Sequence, residues 1–202
     1  MLLLSGAAVL LGYLLGSLPT AYLVAQKAGD TLADIRLSGD GNAGAANVSR
    51  IFGPRWGIFV GVVDIAKGFF AVLVFNALAS SWDAVSGVGL LSGVAAMAGH
   101  IWPVWLRFRG GRGAATALGV TAAVLTGPVL LVALPAMGIL WRTRSTTLTL
   151  AFVYISSIIL ARMFFDASWG IICYCVGIFI TVGAVHFWSL KFRGRPVESV
   201  SA

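Results

Sequence analysis

Uncharged apolar runs of about 20 residues constrain this chain more than any other feature of its sequence. A helix of roughly 20 apolar residues crosses a hydrocarbon core of about 30 Å, and a run of that length has no counterpart on a water-soluble surface. The composition agrees. The chain is 59% hydrophobic and 10% charged, with a mean hydropathy of +0.95, whereas a soluble domain carries about 25% charged residues. A soluble globule is excluded, and the chain reads as an integral membrane protein. Its 202 residues suffice for one helical domain, 1–202.

Apolar length and the positions of charges predict spans over 2–26, 56–79 and 84–99, then 113–126 and 129–141, then 145–161 and 168–188. The stretch 113–141 is divided because Gly127-Pro128 lies in its middle, and proline removes a hydrogen bond from a helix interior. The expected fold is therefore all-α, a polytopic bundle of seven transmembrane helices, some short. Five is the alternative if the short helices do not reach across.

Lys and Arg collect in cytoplasmic loops. Alternate loops here hold Lys27, Arg36, Arg50 and Arg55; Arg107, Arg109 and Arg112; Arg142 and Arg144; and Lys191, Arg193 and Arg195. Of the 14 basic residues, only Arg162 falls on the other side and only Lys67 lies within a span. This pattern predicts an external amino terminus and a cytoplasmic carboxyl terminus. No positive segment precedes the first apolar run, which reads as an uncleaved helix. Cys173 and Cys175, two apart on the last helix, point to different faces and suggest neither a disulfide nor a metal site.

The polar residues gather on the predicted cytoplasmic face. One group is RLSGDGNAGAANVSR, residues 36–50; a second is GHIWPVWLRFRGGRGAAT, 99–116; a third is RTRSTT, 142–147; a fourth is His186 with the basic tail. In RGGRGAAT, glycines let N–H groups turn toward one point, and the following helix adds its own unpaired N–H groups. Arg112 supplies a fork of donors suited to phosphate or carboxylate. The stretch reads as an anion cradle, with topology signals and close helix packing as the simpler alternative. The segment Gly39 to Asn47 reads either as a polar turn or as a second wall of the same site, since Asp40, Asn42 and Asn47 orient hydroxyls and amides well. Asp64 and Lys67 share one face of the second helix and are expected to pair inside the bundle. His100 stands at the end of the third helix, where an ordinary loop-fixing hydrogen bond is the simpler reading.

GSLPTAYLV (16–24), GDGNAGAANVSR (39–50), DIAKG (64–68) and GHIWPVWLRFRGGRGAAT (99–116), in that order, resemble the signatures of the bacterial acyl-phosphate:glycerol-3-phosphate acyltransferases, the PlsY family. Weaker likenesses follow at 143–149 and from His186 to Glu198. The resemblance implies a seven-helix enzyme of the bacterial inner membrane with its active site on the cytoplasmic face. Such an enzyme moves a fatty acyl group from acyl phosphate to the 1-hydroxyl of glycerol 3-phosphate, giving lysophosphatidic acid and phosphate. It implies no metal or nucleotide cofactor. The partners expected are the two substrates and the lipid bilayer, with no nucleic acid and with the oligomeric state open.

By position, the resemblance implies catalytic roles for Asp40, Asn42, Arg112 and His186. It implies substrate contacts from Gly39, Gly41, Gly44, Asn47, Arg50, His100, Gly110, Gly111, Gly113, Thr147 and Ser189. Several positions depart from the family pattern. Asp40 stands for Ser, Ala46 for Thr, Arg112 for the commoner Lys, Thr147 for Ser, Ser189 for Asn and Pro196 for Gly. Arg50, Arg112 and the N–H groups from Gly110 to Gly113 are expected to hold phosphate and stabilise charge on the carbonyl and leaving group. The proton acceptor is left among His186, Asp40 and the acceptor's own phosphate. No serine or cysteine nucleophile with a neighbouring base is evident, so direct transfer without an acyl-enzyme is expected. The alternatives are a diverged acyltransferase with another acceptor, and a membrane anion transporter or scaffold. A transporter would concentrate polar groups near the midplane, often between inverted repeats.

Overall fold

Prolines mark two of the helix boundaries. The computed structural model describes residues 2–28, 34–79 and 87–192. Where one helix is predicted over 2–26, two are found: α1, Leu2–Gly16, and α2, Thr20–Lys27. Ser17, Leu18 and Pro19 lie between them, since Pro19 cannot donate to the preceding turn. Pro54 instead opens α4, Pro54–Leu78, where a first-turn N–H has no helical partner to lose. A short helix not anticipated from the sequence, α3, Ala45–Phe52, precedes it and buries Asn47 and Val48.

The predicted division of 113–141 is present but displaced. Helix α6 spans Ala114–Val124 and α7 spans Thr126–Thr143, with Leu125 between them. Pro128 belongs to the first turn of α7, a position that tolerates it for the same reason as Pro54. Helices α5, Gly87–Ile101, α8, Thr146–Phe164, and α9, Trp169–Phe192, lie close to their predicted spans. Residues 84–86 of the third predicted span lie outside the described residues, as do Arg193, Arg195, Pro196 and Glu198.

All regular structure among the described residues is helical. Six segments there are long and apolar enough to cross a membrane: Leu2–Lys27, Pro54–Leu78, Gly87–Leu106, Thr126–Thr143, Thr146–Phe164 and Trp169–Lys191. The apolar α6 is shorter, with 11 residues, or about 16 Å at roughly 1.5 Å per residue. It packs closely on α4. A Cβ at Gly68 would lie 2.1 Å from the Thr116 carbonyl oxygen, and one at Gly119 would lie 1.9 Å from that of Ile65. Only glycine permits the two backbones to approach so closely.

Two apolar clusters position the polar face. Val72, Met97, Ala117, Val120, Tyr154 and Ile178 join α4, α5, α6, α8 and α9. Ala21, Val24, Ile35, Ala43, Val48 and Val60 seat the segment 34–44 on α2, α3 and α4. The outward faces stay apolar, as at Ile58, Leu134 and Phe187, which suits lipid rather than water.

Candidate active site

The segment 34–44 holds its shape through side chains that bond to backbone. Asp34 accepts the Arg36 N–H at 3.0 Å and the Arg36 Nε at 2.8 Å, and it also pairs with the Tyr22 hydroxyl. Burial pushes the Asp34 carboxyl up, but the bonds from Arg36 and Tyr22 outweigh it and hold the carboxyl at about 2. The same bonds raise Arg36. Arg36 Nη1 donates to the Arg109 carbonyl at 2.7 Å, tying this segment to the turn after α5. None of this network was anticipated from the sequence, although Asp34 two residues before Arg36 fits a local turn bond.

Asn47 corrects an expectation. It is fully buried. Its Oδ1 accepts the Asp40 N–H at 2.9 Å, and its Nδ2 donates to the carbonyls of Ile35 and Ser38, each at 3.0 Å. With three of its bonds made inside the loop and no exposed surface, the amide is a staple rather than a substrate contact. Gly39 makes room for it. This glycine has φ +63°, and a Cβ there would lie 2.0 Å from Asn47 Oδ1. Gly41 and Gly44 likewise shape the loop, with φ +70° at Gly41 and an extended backbone at Gly44.

Beyond the staple, charges converge. Asp40 Oδ2 lies 2.8 Å from Arg50 Nη1 and 3.8 Å from Arg112 Nη1. Asp40 Oδ1 accepts the Asn42 N–H at 3.1 Å. The Asn42 amide oxygen is buried without a hydrogen-bond partner among the described residues, leaving it spare capacity. Arg112 Nε donates to Ser189 Oγ at 2.7 Å. His186, one turn earlier on α9 and half-buried, feels the charges of both Arg112 and Asp40. The fold thus assembles Asp40, Asn42, Arg50, Arg112, His186 and Ser189 from three distant stretches. Two guanidiniums around one carboxylate are a geometry suited to holding an anion.

The glycine loop differs from expectation. The Gly110 N–H donates to the Ile101 carbonyl at 2.9 Å and the Gly111 N–H to that of His100 at 3.1 Å. These two N–H groups pin the loop and are not available to phosphate. The unpaired donors expected of a helix start remain in the first turn of α6, behind Gly113 at φ +79°. Gly111 is required where it stands, because a Cβ would lie 2.3 Å from His100 Nε2 and 2.9 Å from the Ala43 carbonyl.

His100 is also relocated. It is buried and faces inward, with Nδ1 3.7 Å from Asp64 Oδ1. Asp64 and Lys67, both buried, pair at 2.9 Å as expected. Lys67 Nζ also donates to the Leu18 carbonyl at 3.0 Å, a group at the break before Pro19 that also accepts the Thr20 N–H at 2.9 Å. His100 therefore supports Gly111 from behind and takes no part in the Asp40 cluster. Thr147, in the first turn of α8, is exposed and makes none of the contacts that join Asp40, Arg50, Arg112 and Ser189.

Residues 6–194 match the family described as glycerol-3-phosphate acyltransferase. The protein named glycerol-3-phosphate acyltransferase 4 of Dehalococcoides mccartyi is 41% identical over 179 residues, spanning 89% of this chain and 93% of that one. The glycerol-3-phosphate acyltransferase of Desulforudis audaxviator is 40% identical over 178 residues, 87% of this chain and 84% of that protein. Among solved structures, the crystal structure of PlsY (YgiH), an integral membrane glycerol 3-phosphate acyltransferase, in its glycerol 3-phosphate form, superposes with a TM-score of 0.78 at 30% identity over 96% of each chain. Its lysophosphatidic acid form gives 0.74 at 30% identity, over 95% of this chain and 94% of that one.

Proposed function

This chain belongs to the glycerol-3-phosphate acyltransferase family, membrane enzymes that acylate glycerol 3-phosphate, and we propose that its acyl donor is acyl phosphate. The products are then lysophosphatidic acid and inorganic phosphate. The observation that carries this reading is the convergence of Arg50 and Arg112 on one carboxylate. A clamp that holds an internal anion suits a reaction with a phosphate on each substrate.

In this reading Arg50 and Arg112 hold phosphate, and Ser189 fixes the Arg112 fork through Nε. The acceptor hydroxyl attacks the donor carbonyl, the C–O bond to phosphate breaks, and the phosphate leaves with the electron pair while the clamp offsets its charge. His186 receives the hydroxyl proton. Asp40 is less suited to that task, since one oxygen pairs with Arg50 and the other accepts the Asn42 N–H. Asn42, whose N–H bonds the Asp40 carboxylate, lines the acceptor side of the site. Transfer in this reading is direct, with no acyl-enzyme.

Seven crossings suit the geometry better than six. Arg112 directly precedes α6, and its bond to Ser189 brings the carboxyl end of α9 to the same side. From that side α4, α5, α6, α7, α8 and α9 return to it only if the short α6 also crosses. The basic residues on this face support a cytoplasmic site in the bacterial inner membrane, with the amino terminus outside. The test is phosphate release by the detergent-purified protein given palmitoyl phosphate, with and without glycerol 3-phosphate. Acceptor-dependent release is expected; release that ignores the acceptor, or none from folded protein, refutes the reading.

A further inference from the structure

A second basic cluster, separate from Arg50 and Arg112, lies on the turn that follows α5. One 3-10 turn, Val104–Leu106, leads into Arg107 at φ 53° and Phe108 at φ 59°. Residues with a Cβ adopt this left-handed backbone only at a cost. It goes with an outward display of Trp102, Trp105 and Phe108, which are 49%, 61% and 58% exposed. Arg107 and Arg109 are exposed among them. Arg36, Trp105, Leu106, Arg107 and Arg109 line an open cavity of about 480 Å³. Asp34, the acid nearest in sequence to this lining, already pairs with Arg36. Among the described residues no acid pairs with Arg107 or Arg109.

We propose that this cavity is a headgroup site for an anionic phospholipid of the bilayer. Guanidinium forks match a phosphate diester. The turn directly continues an apolar span, Gly87–Leu106. At that depth tryptophan rings sit at the headgroup level and basic residues draw anionic lipid. A free anion would engage the arginines but leave Trp105 and Leu106 uncovered, whereas a lipid supplies both the phosphate and apolar carbons beside it.

Occupancy has a mechanical consequence. Arg36 already ties the Arg109 carbonyl to the segment 34–44, and the chain runs from Arg109 straight into Gly110, Gly111 and Arg112. A lipid held by Arg107 and Arg109 therefore steadies the rim of the clamp. The binding claim stands on the membrane location alone; its effect on turnover rests on the acyltransferase reading.

The protein is placed in phosphatidylcholine nanodiscs carrying equal fractions of either brominated phosphatidylglycerol or brominated phosphatidylcholine. Trp105 emission is taken as the difference between wild type and Trp105→Phe. Phosphatidylglycerol is expected to quench Trp105 about fivefold more effectively, as one arginine contact of about 1 kcal/mol at the surface predicts. Arg107→Gln/Arg109→Gln should reduce this preference to the phosphatidylcholine level with the thermal midpoint unchanged. Equal quenching by the two lipids, or a preference that survives in the double variant, overturns the proposal. So does loss of the preference on adding inorganic phosphate at chloride-matched ionic strength, which would mark a soluble-anion site. None of these readings depends on turnover, so a failure of the acyltransferase assay leaves them intact.

Discussion

Asp40→Asn is predicted to strengthen phosphate binding. Asn keeps the shape of the side chain and can still accept the Asn42 N–H, but it removes a negative charge 2.8 Å from Arg50 and 3.8 Å from Arg112. A phosphate dianion held by the same guanidiniums would stand about 5 Å from the carboxylate, where repulsion in water amounts to about 1.7 kcal/mol. Salt screening lowers that figure. Releasing Arg50, whose side chain is 60% exposed, adds only the about 0.2–1 kcal/mol of a surface pair. A gain of about 1.4–2 kcal/mol corresponds to a ten- to thirtyfold fall in the inhibition constant for inorganic phosphate and in KM for glycerol 3-phosphate. Steady-state kinetics at fixed ionic strength read both, and Asp40→Ser should move them the same way. A KM that rises would mean that Asp40 contacts the glycerol hydroxyls. A kcat that drops a hundredfold or more with phosphate inhibition unchanged would make Asp40 the proton acceptor in place of His186.

Arg112→Ala removes the less exposed half of the clamp and is expected to lower kcat/KM by about a hundredfold or more; Arg112→Lys should recover part of it, since charge returns without the fork that engages Ser189. Lys67→Ala leaves Asp64 buried without its cation and should destabilise the fold by about 3–5 kcal/mol, whereas Lys67→Met/Asp64→Leu should recover most of the loss in a thermal melt. The depressed Asp34 carboxyl contributes stability that is present above its ordinary value near 4 and lost as pH falls through about 2. Wild type should therefore exceed Asp34→Asn in thermal midpoint at pH 5, with the gap closing toward pH 2; a constant gap would remove Asp34 from the account. Gly111→Ala forces a Cβ to 2.3 Å from His100 Nε2 and should abolish most activity while far-UV helicity is retained.

What the sequence made legible followed from signals that are local. Apolar length located most membrane helices, and Arg112 among glycines pointed to the turn that the fold brings against Asp40 and Ser189. The break at Pro19 was overlooked because hydrophobic residues continue on both sides of it, and hydropathy registers apolar length rather than hydrogen bonds. Its consequence, a carbonyl taken by Lys67 from 49 residues away, is set by packing. Asn47 was misread for a different reason: an amide that binds substrate and an amide that staples a loop are the same residue type, and only burial separates them. The Gly110 and Gly111 N–H groups failed likewise, since glycine freedom makes a cradle possible but the nearby carbonyls of His100 and Ile101 claim the donors. The bond from Arg112 to Ser189 spans 77 residues and leaves no local trace.

In the proposed mechanism Arg50 and Arg112 hold substrate phosphate in the place now taken by the Asp40 carboxylate. A crystal structure of the protein with glycerol 3-phosphate tests it most directly. Phosphate oxygens are expected about 3 Å from both guanidiniums, with Asp40 withdrawn from Arg50. A phosphate bound elsewhere while the Asp40–Arg50 pair stays intact at 2.8 Å would contradict it.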